Sequence, residues 1–153
     1  MGESYKKAQY SFEYLLVIAL TFVLIVPTTY LFYNYSKEST QEITDALITK
    51  IGRNIIDAAE LIFYSGKGSK TVLELNIPDN IDGAVIIDNK EIVFNVSSTY
   101  GISEVVFFSS VNITGPMLNC NENLCDMPEL ARQGFKKVKV EAITKDSVSI
   151  EVI

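Results

Sequence analysis

The chain has 153 residues, a net charge of −6 and no histidine. An acidic chain is repelled by phosphate backbones, so we expect no nucleic acid partner. Without histidine the chain lacks the commonest general base and transition-metal ligand, so we expect no enzyme, no metal site and no cofactor.

The first predicted element is an apolar helix near the N-terminus. No charged residue occurs from Tyr14 to Tyr33, and about 20 uncharged residues are enough for a helix to cross a bilayer. Lys6 and Lys7 precede this segment, and the positive-inside rule places them in the cytoplasm and the rest of the chain outside. The C-terminal end of this segment is rich in aromatic residues, as is typical of a helix at the outer membrane interface. These residues are Tyr30, Phe32, Tyr33 and Tyr35.

A small residue suited to cleavage lies before the apolar segment, whereas an ordinary secretory signal has it afterwards. That residue is Ala8, and the sequence at 9–15 reads Gln-Tyr-Ser-Phe-Glu-Tyr-Leu. This run fits the Q-x-S-x-E-x-L pattern and resembles the class III signal peptide of archaeal type IV pilins. The matching positions are Gln9, Ser11, Glu13 and Leu15.

The resemblance implies processing by a prepilin-type peptidase, which would cut between Ala8 and Gln9 in the context of Lys6 and Lys7. The apolar segment would stay on the mature protein as its assembly helix. Glu13 would pair with the new N-terminal amine of a neighbouring subunit, since a carboxylate at the edge of an apolar helix is costly in lipid unless paired. The implied partners are other copies or other pilins, the peptidase, the pilus assembly platform and, before assembly, the membrane.

Two alternatives stay open for this segment. It can also be a plain signal anchor, in which Gln9, Ser11 and Glu13 are incidental.

Pro27 removes one helical hydrogen bond and loosens the helix. Pilin helices of related type often carry a proline in this region, but a tolerated kink in a membrane span explains Pro27 equally well.

The second half of the predicted helix is amphipathic and extends over residues 36–64. Apolar residues recur every four positions at Ile43, Leu47, Ile51 and Ile55, and the stripe is widened by Ala46, Ile48, Ala59, Ile62 and Phe63. The pattern stops at Ser65-Gly66-Lys67-Gly68, which favours a helix end there. We expect this half to pack against the rest of the chain.

After residue 68 the period changes to two, which predicts about six short strands joined by tight turns. One turn is predicted at Asp88-Asn89-Lys90, and one longer strand is predicted from Glu104 to Ile113. Sequential strands of this kind favour an antiparallel sheet or a small β-sandwich.

The segment 114–135 has no clear periodicity, which predicts a long loop. Cys120 and Cys125 lie within it. They close a small disulfide loop if the domain is exported, or remain free thiols.

Asn-x-Ser/Thr sequons at Asn34, Asn95 and Asn112 are candidate glycosylation sites. Asn95 and Asn112 alternate with apolar strand residues, so we expect their side chains to point outward.

These elements predict an α+β fold in which a long N-terminal helix packs by its second half on a β-domain, as in type IV pilins. The expected parts are a leader at 1–8, a helix at 9–64 with an assembly half at 9–35 and an amphipathic half at 36–64, and an extracellular β-domain at 65–153. The predicted function is a major or minor pilin of an adhesive surface filament, inserted in the cytoplasmic membrane as a precursor. The alternative is a membrane-anchored extracellular binding module displayed singly.

Overall fold

A computed structural model of the chain describes residues 2–98, 101–116, 120–121 and 123–153, with side chains from residue 12 onward except that of residue 38. The fold is α+β, with one long N-terminal helix followed by antiparallel-rich sheets. The chain divides into two compact units, one ending at Glu42 and the other spanning Ile43–Ile153.

The helix α1 extends over Gly2–Ser65. Its end confirms the predicted stop, because Gly66 adopts a left-handed backbone with φ of 94° that a side chain disfavours. The Gly66 N–H donates to the carbonyl of Phe63 at 3.2 Å, which satisfies one of the carbonyls left free at a helix C-terminus.

Nine strands follow within the part of the chain that the structure describes. Their bounds are β1 Lys70–Ile77, β2 Ile81–Ile87, β3 Glu91–Ser98, β4 Gly101–Phe108, β5 Asn112–Thr114, β6 Cys120–Asn121, β7 Leu124–Asp126, β8 Gly134–Ala142 and β9 Ser147–Val152. They form a four-stranded sheet of order β1-β8-β9-β5 and a five-stranded sheet of order β4-β3-β2-β7-β6. The alternating pattern predicted five of the six long strands, whereas the strand predicted at 104–113 covers only parts of β4 and β5. The short strands β6 and β7 were not predicted.

The β2–β3 hairpin shows how local sequence sets the sheet. Asp88 and Asn89 both have positive φ, at 52° and 56°, in the connection 88–90, and the Lys90 N–H donates to the carbonyl of Ile87 at 3.1 Å. Asn and Asp tolerate this conformation better than other residues with side chains. The predicted turn is therefore confirmed.

One hydrophobic core contains residues from the second half of α1 and from both sheets. Ile48, Ile51, Ile55 and Ile62 supply the helix face, and Phe94, Ile113, Val140 and Ile150 are among the strand residues that are fully buried. The long helix is thus joined to the β-domain through its C-terminal half.

The prediction for the start of this helix face was wrong. Ile43 is 60% exposed and Leu47 is 39% exposed, and α1 first becomes buried at Ile48. Residues four apart differ by about 40° around a helix, so a strict four-residue series drifts off any one face. The residues predicted to widen the stripe lie in or against the core at Ile48, Ala59, Ile62 and Phe63, whereas Ala46 is exposed.

The predicted strand from Glu104 to Ile113 was also wrong, because the chain leaves one sheet and enters the other within it. β4 ends at Phe108 and β5 begins at Asn112, where it pairs in parallel with β9. Between them Ser109 is buried, and its hydroxyl accepts a hydrogen bond from the Val111 N–H at 3.2 Å.

The loop predicted at 114–135 contains regular structure in its described part. It holds the short hairpin of β6 and β7 and a 3-10 helix at Pro128–Leu130. Leu130 and Met127 are buried in the core. Strands of two or three residues are too short to produce an alternating pattern, so the sequence did not predict them.

Candidate functional site

The apolar half of α1 is the most unusual surface of the molecule. Its large apolar side chains are exposed from Phe12 to Tyr35 except that of Ile18, which is half-buried, and no residue of this segment is fully buried. The segment is long enough and apolar enough to cross a membrane. An apolar surface of this extent on a chain in water marks a site of contact with protein or lipid.

Three threonines interrupt this apolar surface, and each satisfies its own hydroxyl within the helix. Thr21 donates to the carbonyl of Val17 at 2.8 Å, Thr28 to that of Leu24 at 2.6 Å, and Thr29 to that of Ile25 at 2.8 Å. A hydroxyl that already donates inside the helix costs little to bury. These residues therefore leave the segment suited to an apolar environment.

Pro27 lies inside α1, and the helix continues through it without a break. Since proline has no N–H, the carbonyl of Val23 loses the donor that a helix normally supplies four residues later. The hydroxyls of Thr28 and Thr29 bond to other carbonyls. The backbone around Pro27 is thus held by one hydrogen bond fewer than the rest of the helix.

Glu13 lies at the N-terminal edge of the apolar surface and its side chain is exposed. Among the side chains that the structure describes, no basic group forms an ion pair with it. A lone carboxylate in this position is compatible with water, but in lipid or a helix bundle it requires a partner. Leu15 of the same motif is also exposed, on the apolar surface itself.

The other motif residues fall in the N-terminal part of α1. Lys6, Lys7, Ala8, Gln9 and Ser11 have helical backbone, and their side chains lie outside the described ones. Their roles in processing and assembly therefore stay predictions from the sequence.

The C-terminal end of the apolar surface carries a contact that sequence analysis did not identify. The Lys37 ammonium lies 4.8 Å from the centre of the Tyr33 ring, within the range of a cation–π interaction. The spacing of four residues on a helix was the available signal. Lys37 is the first basic residue after the uncharged segment, so this pair marks where the apolar surface ends.

The three sequon asparagines differ in their surroundings. Asn112 is exposed on β5 between buried Val111 and Ile113, so its side chain points outward. Asn95 is only half-buried on β3, where it lies across from Gly83 and Glu104. Asn34 is exposed on α1 within the apolar half. All three remain candidate glycosylation sites.

Cys120 and Cys125 are joined by a disulfide across the β6–β7 hairpin. Cys125 is buried, and a Cβ added at Gly115 would lie 3.0 Å from its Cβ. A side chain at position 115 would therefore require the hairpin to shift by a few tenths of an ångström. The bridge joins the two strands at the β6 edge of the five-stranded sheet.

The described residues contain no group of three or more acidic or cysteine side chains placed to hold a metal ion. Comparison with known protein families finds no match. Comparisons with curated proteins and with solved structures likewise find none. The features that indicate a function are therefore the exposed apolar half of α1 and the motif at its N-terminal end.

Proposed function

We propose that the chain is a structural subunit of a type IV pilus-like surface filament of the archaeal kind, major or minor, that assembles through the apolar half of α1 and serves adhesion. One observation carries the proposal: one face of the second half of the helix is buried in the core, whereas no residue of the apolar first half is buried. Burying that exposed surface is strongly favourable. Packing the first halves of many copies together accomplishes this.

The motif supports assembly by copies over simple insertion in lipid. Cleavage between Ala8 and Gln9 would create a positively charged amine close to the carboxylate of Glu13. In a bundle of such helices the amine of one subunit can pair with the Glu13 carboxylate of its neighbour. This pairing would fix the axial position of each subunit at a site where apolar contacts alone are not selective.

The Pro27 region fits the same proposal. A helix that is packed among its neighbours can lose one backbone hydrogen bond and still be held straight by surrounding side chains. The internally satisfied threonines of this half allow it to leave the membrane and enter a protein bundle without unpaired donors.

The test is the N-terminal residue of the protein recovered from cell-surface filaments and from membranes, determined by mass spectrometry. We expect Gln9 in both fractions and filaments that contain the chain. An intact Met1 or Gly2, or a terminus beyond Tyr33, would overturn the proposal.

The second candidate function is a membrane-anchored binding module that displays its β-domain singly. It is favoured by the same exposed helix half, because a lipid bilayer also covers that surface. Extraction into mild detergent separates the two. A filament subunit pellets or shears from the cell as a large assembly, whereas an anchored module dissolves as a small particle.

A further inference from the structure

The two sheets have four edge strands, and these differ in how they are protected. Edge strands expose unpaired backbone groups that can pair with another chain, so proteins shorten them, charge them or interrupt them. β5 and β6 are protected by their length of three and two residues. β1 carries Lys70 and Glu74 and is followed by Pro78.

β4 has none of these protections except one charge. It has eight residues and pairs with β3 one-for-one from Gly101 to Phe108, without a bulge. It contains no proline and no lysine, and Glu104 is its single charged residue. Within the described part of the chain, β4 pairs on one side only.

The face of β4 that points away from the core is apolar except at Glu104. Ile102 is 74% exposed and Phe108 is 70% exposed, whereas Val105 and Phe107 pack against the core. Val106 lies beside Val93 on the next strand, and Val93 lies beside Val85. Val93 is 4% exposed although it lies outside the central core, so a second apolar layer extends from the open edge across the outward face.

We propose that β4 pairs antiparallel with β4 of a second copy of this chain, about a two-fold axis. Because side chains alternate between faces, only registers that place outward residues opposite outward residues keep both faces apolar. Centring the pair on Glu104 would set two carboxylates opposite each other, which is unfavourable. Centring the pair on Val105 places residues 102–108 opposite the same segment of the partner. No two like charges then lie opposite each other.

In this register the outward apolar layers of the two copies become continuous. Ile102 lies opposite Phe108 of the second copy, and Glu104 lies opposite Val106 of the second copy. The free backbone groups of both edges are satisfied in one contact. A two-fold contact closes at two copies, so it is separate from the helix packing proposed above and does not depend on it.

The first experiment is cross-linking of the full-length protein in detergent with a short bismaleimide. Both native cysteines are in the disulfide, so an introduced cysteine is the only free thiol. Val106→Cys should cross-link to itself, since the two copies of residue 106 would be about 7–8 Å apart on the diagonal. Ile102→Cys should not, since its two copies would be about 20 Å apart.

A mixture sharpens the register. Copies with Ile102→Cys and copies with Phe108→Cys should cross-link to each other and not to themselves. Cross-linking of Ile102→Cys to itself as efficient as that of Val106→Cys would overturn the proposed register. Absence of cross-linking at position 106 would overturn the pairing.

The second experiment uses two charges at one position. Val106→Lys places an ammonium opposite Glu104 of the partner, and Val106→Glu places a carboxylate there, while both remove the same apolar side chain. We expect the Glu variant to dimerise about tenfold more weakly than the Lys variant, because each dimer contains this cross-strand pair twice. Equal dimerisation of the two variants, measured by sedimentation in detergent, would mean that the edge contacts another strand or none.

Discussion

The ring of Phe107 on β4 lies against the backbone of Gly52 in α1, in the space that a Cβ at position 52 would occupy. The same ring makes an edge-to-face contact with Phe94, with centroids 5.9 Å apart. Phe107 therefore links the helix to the five-stranded sheet through a contact that only glycine permits. This relationship determines how closely α1 approaches β4.

Gly52→Ala should destabilise the protein by about 1–3 kcal/mol, the usual range for overpacking a core. The sign is informative, since glycine to alanine inside a helix otherwise gains about 1 kcal/mol. Denaturant unfolding of the detergent-solubilised protein measures the change in free energy. Adding Phe107→Leu should restore part of the loss, and Asn54→Ala on the exposed face should cause none. A stabilised Gly52→Ala variant would contradict the contact.

Local patterns in the sequence were enough to predict the long elements. The change from helical to alternating period placed the end of α1 and five of the six long strands, and the run Asp88-Asn89-Lys90 identified its hairpin turn. These signals are local because each depends on residues a few positions apart. The errors at Ile43 and at Glu104–Ile113 arose where the local period continued past the point at which tertiary packing changed. The error at 114–135 arose because its strands are too short to produce a period.

The strand order could not be predicted in the same way. β1 pairs with β8, so Lys70 lies opposite Glu141 although most of the domain separates them along the sequence. A sequence period depends on nearby residues and does not predict such a distant pairing. The Gly52–Phe107 contact is long-range in the same sense. Glu60 accepts from the N–H and hydroxyl of Ser110 at 3.1 and 2.8 Å, which holds the chain between the sheets, and the sequence gives no sign of it.

The sequence and the structure contribute different parts of the candidate site. Its chemical content at Gln9, Ser11 and Glu13 came from the motif, while the structure contributes the exposure of the apolar half and the threonine hydrogen bonds. No residue of the apolar surface is buried within the chain itself, so its partner stays a prediction from the motif.

Removing the disulfide should lower the stability of the β-domain. Replacing Cys120 and Cys125 together by serine opens a short loop, whose closure stabilises the folded state by about 2 kcal/mol. Thermal or denaturant unfolding with and without reductant measures the effect. The wild type should lose this amount when reduced, and the double variant should not respond to reductant. A reductant effect of equal size in both would show that another process is involved.

Lys139 should titrate at unusually high pH. Its hydrogen bond and charge attraction to Glu151, at 2.9 Å, and to Glu141, at 3.4 Å, raise the pKa of the Lys139 ammonium. The associated stability is fully present below the ordinary lysine pKa of about 10.4 and is lost as pH rises through the raised value. NMR titration of the lysine side chain should give a lower midpoint for Glu151→Gln than for Glu141→Gln. The reverse order would contradict the assignment of Glu151 as the main partner.

Glu13 provides the decisive test of assembly. Glu13→Gln keeps the shape of the side chain and removes its charge, so an amine from a neighbouring subunit would lose its partner within an apolar bundle. We expect cleavage before Gln9 to persist and filaments to fall to a small fraction of the wild-type amount, counted by electron microscopy and measured in the sheared fraction. Glu42→Gln, an exposed carboxylate farther along α1, is the matched control and should assemble normally. Normal filaments from Glu13→Gln would remove the pairing from the proposed mechanism, whereas loss of cleavage would assign Glu13 to recognition by the peptidase instead.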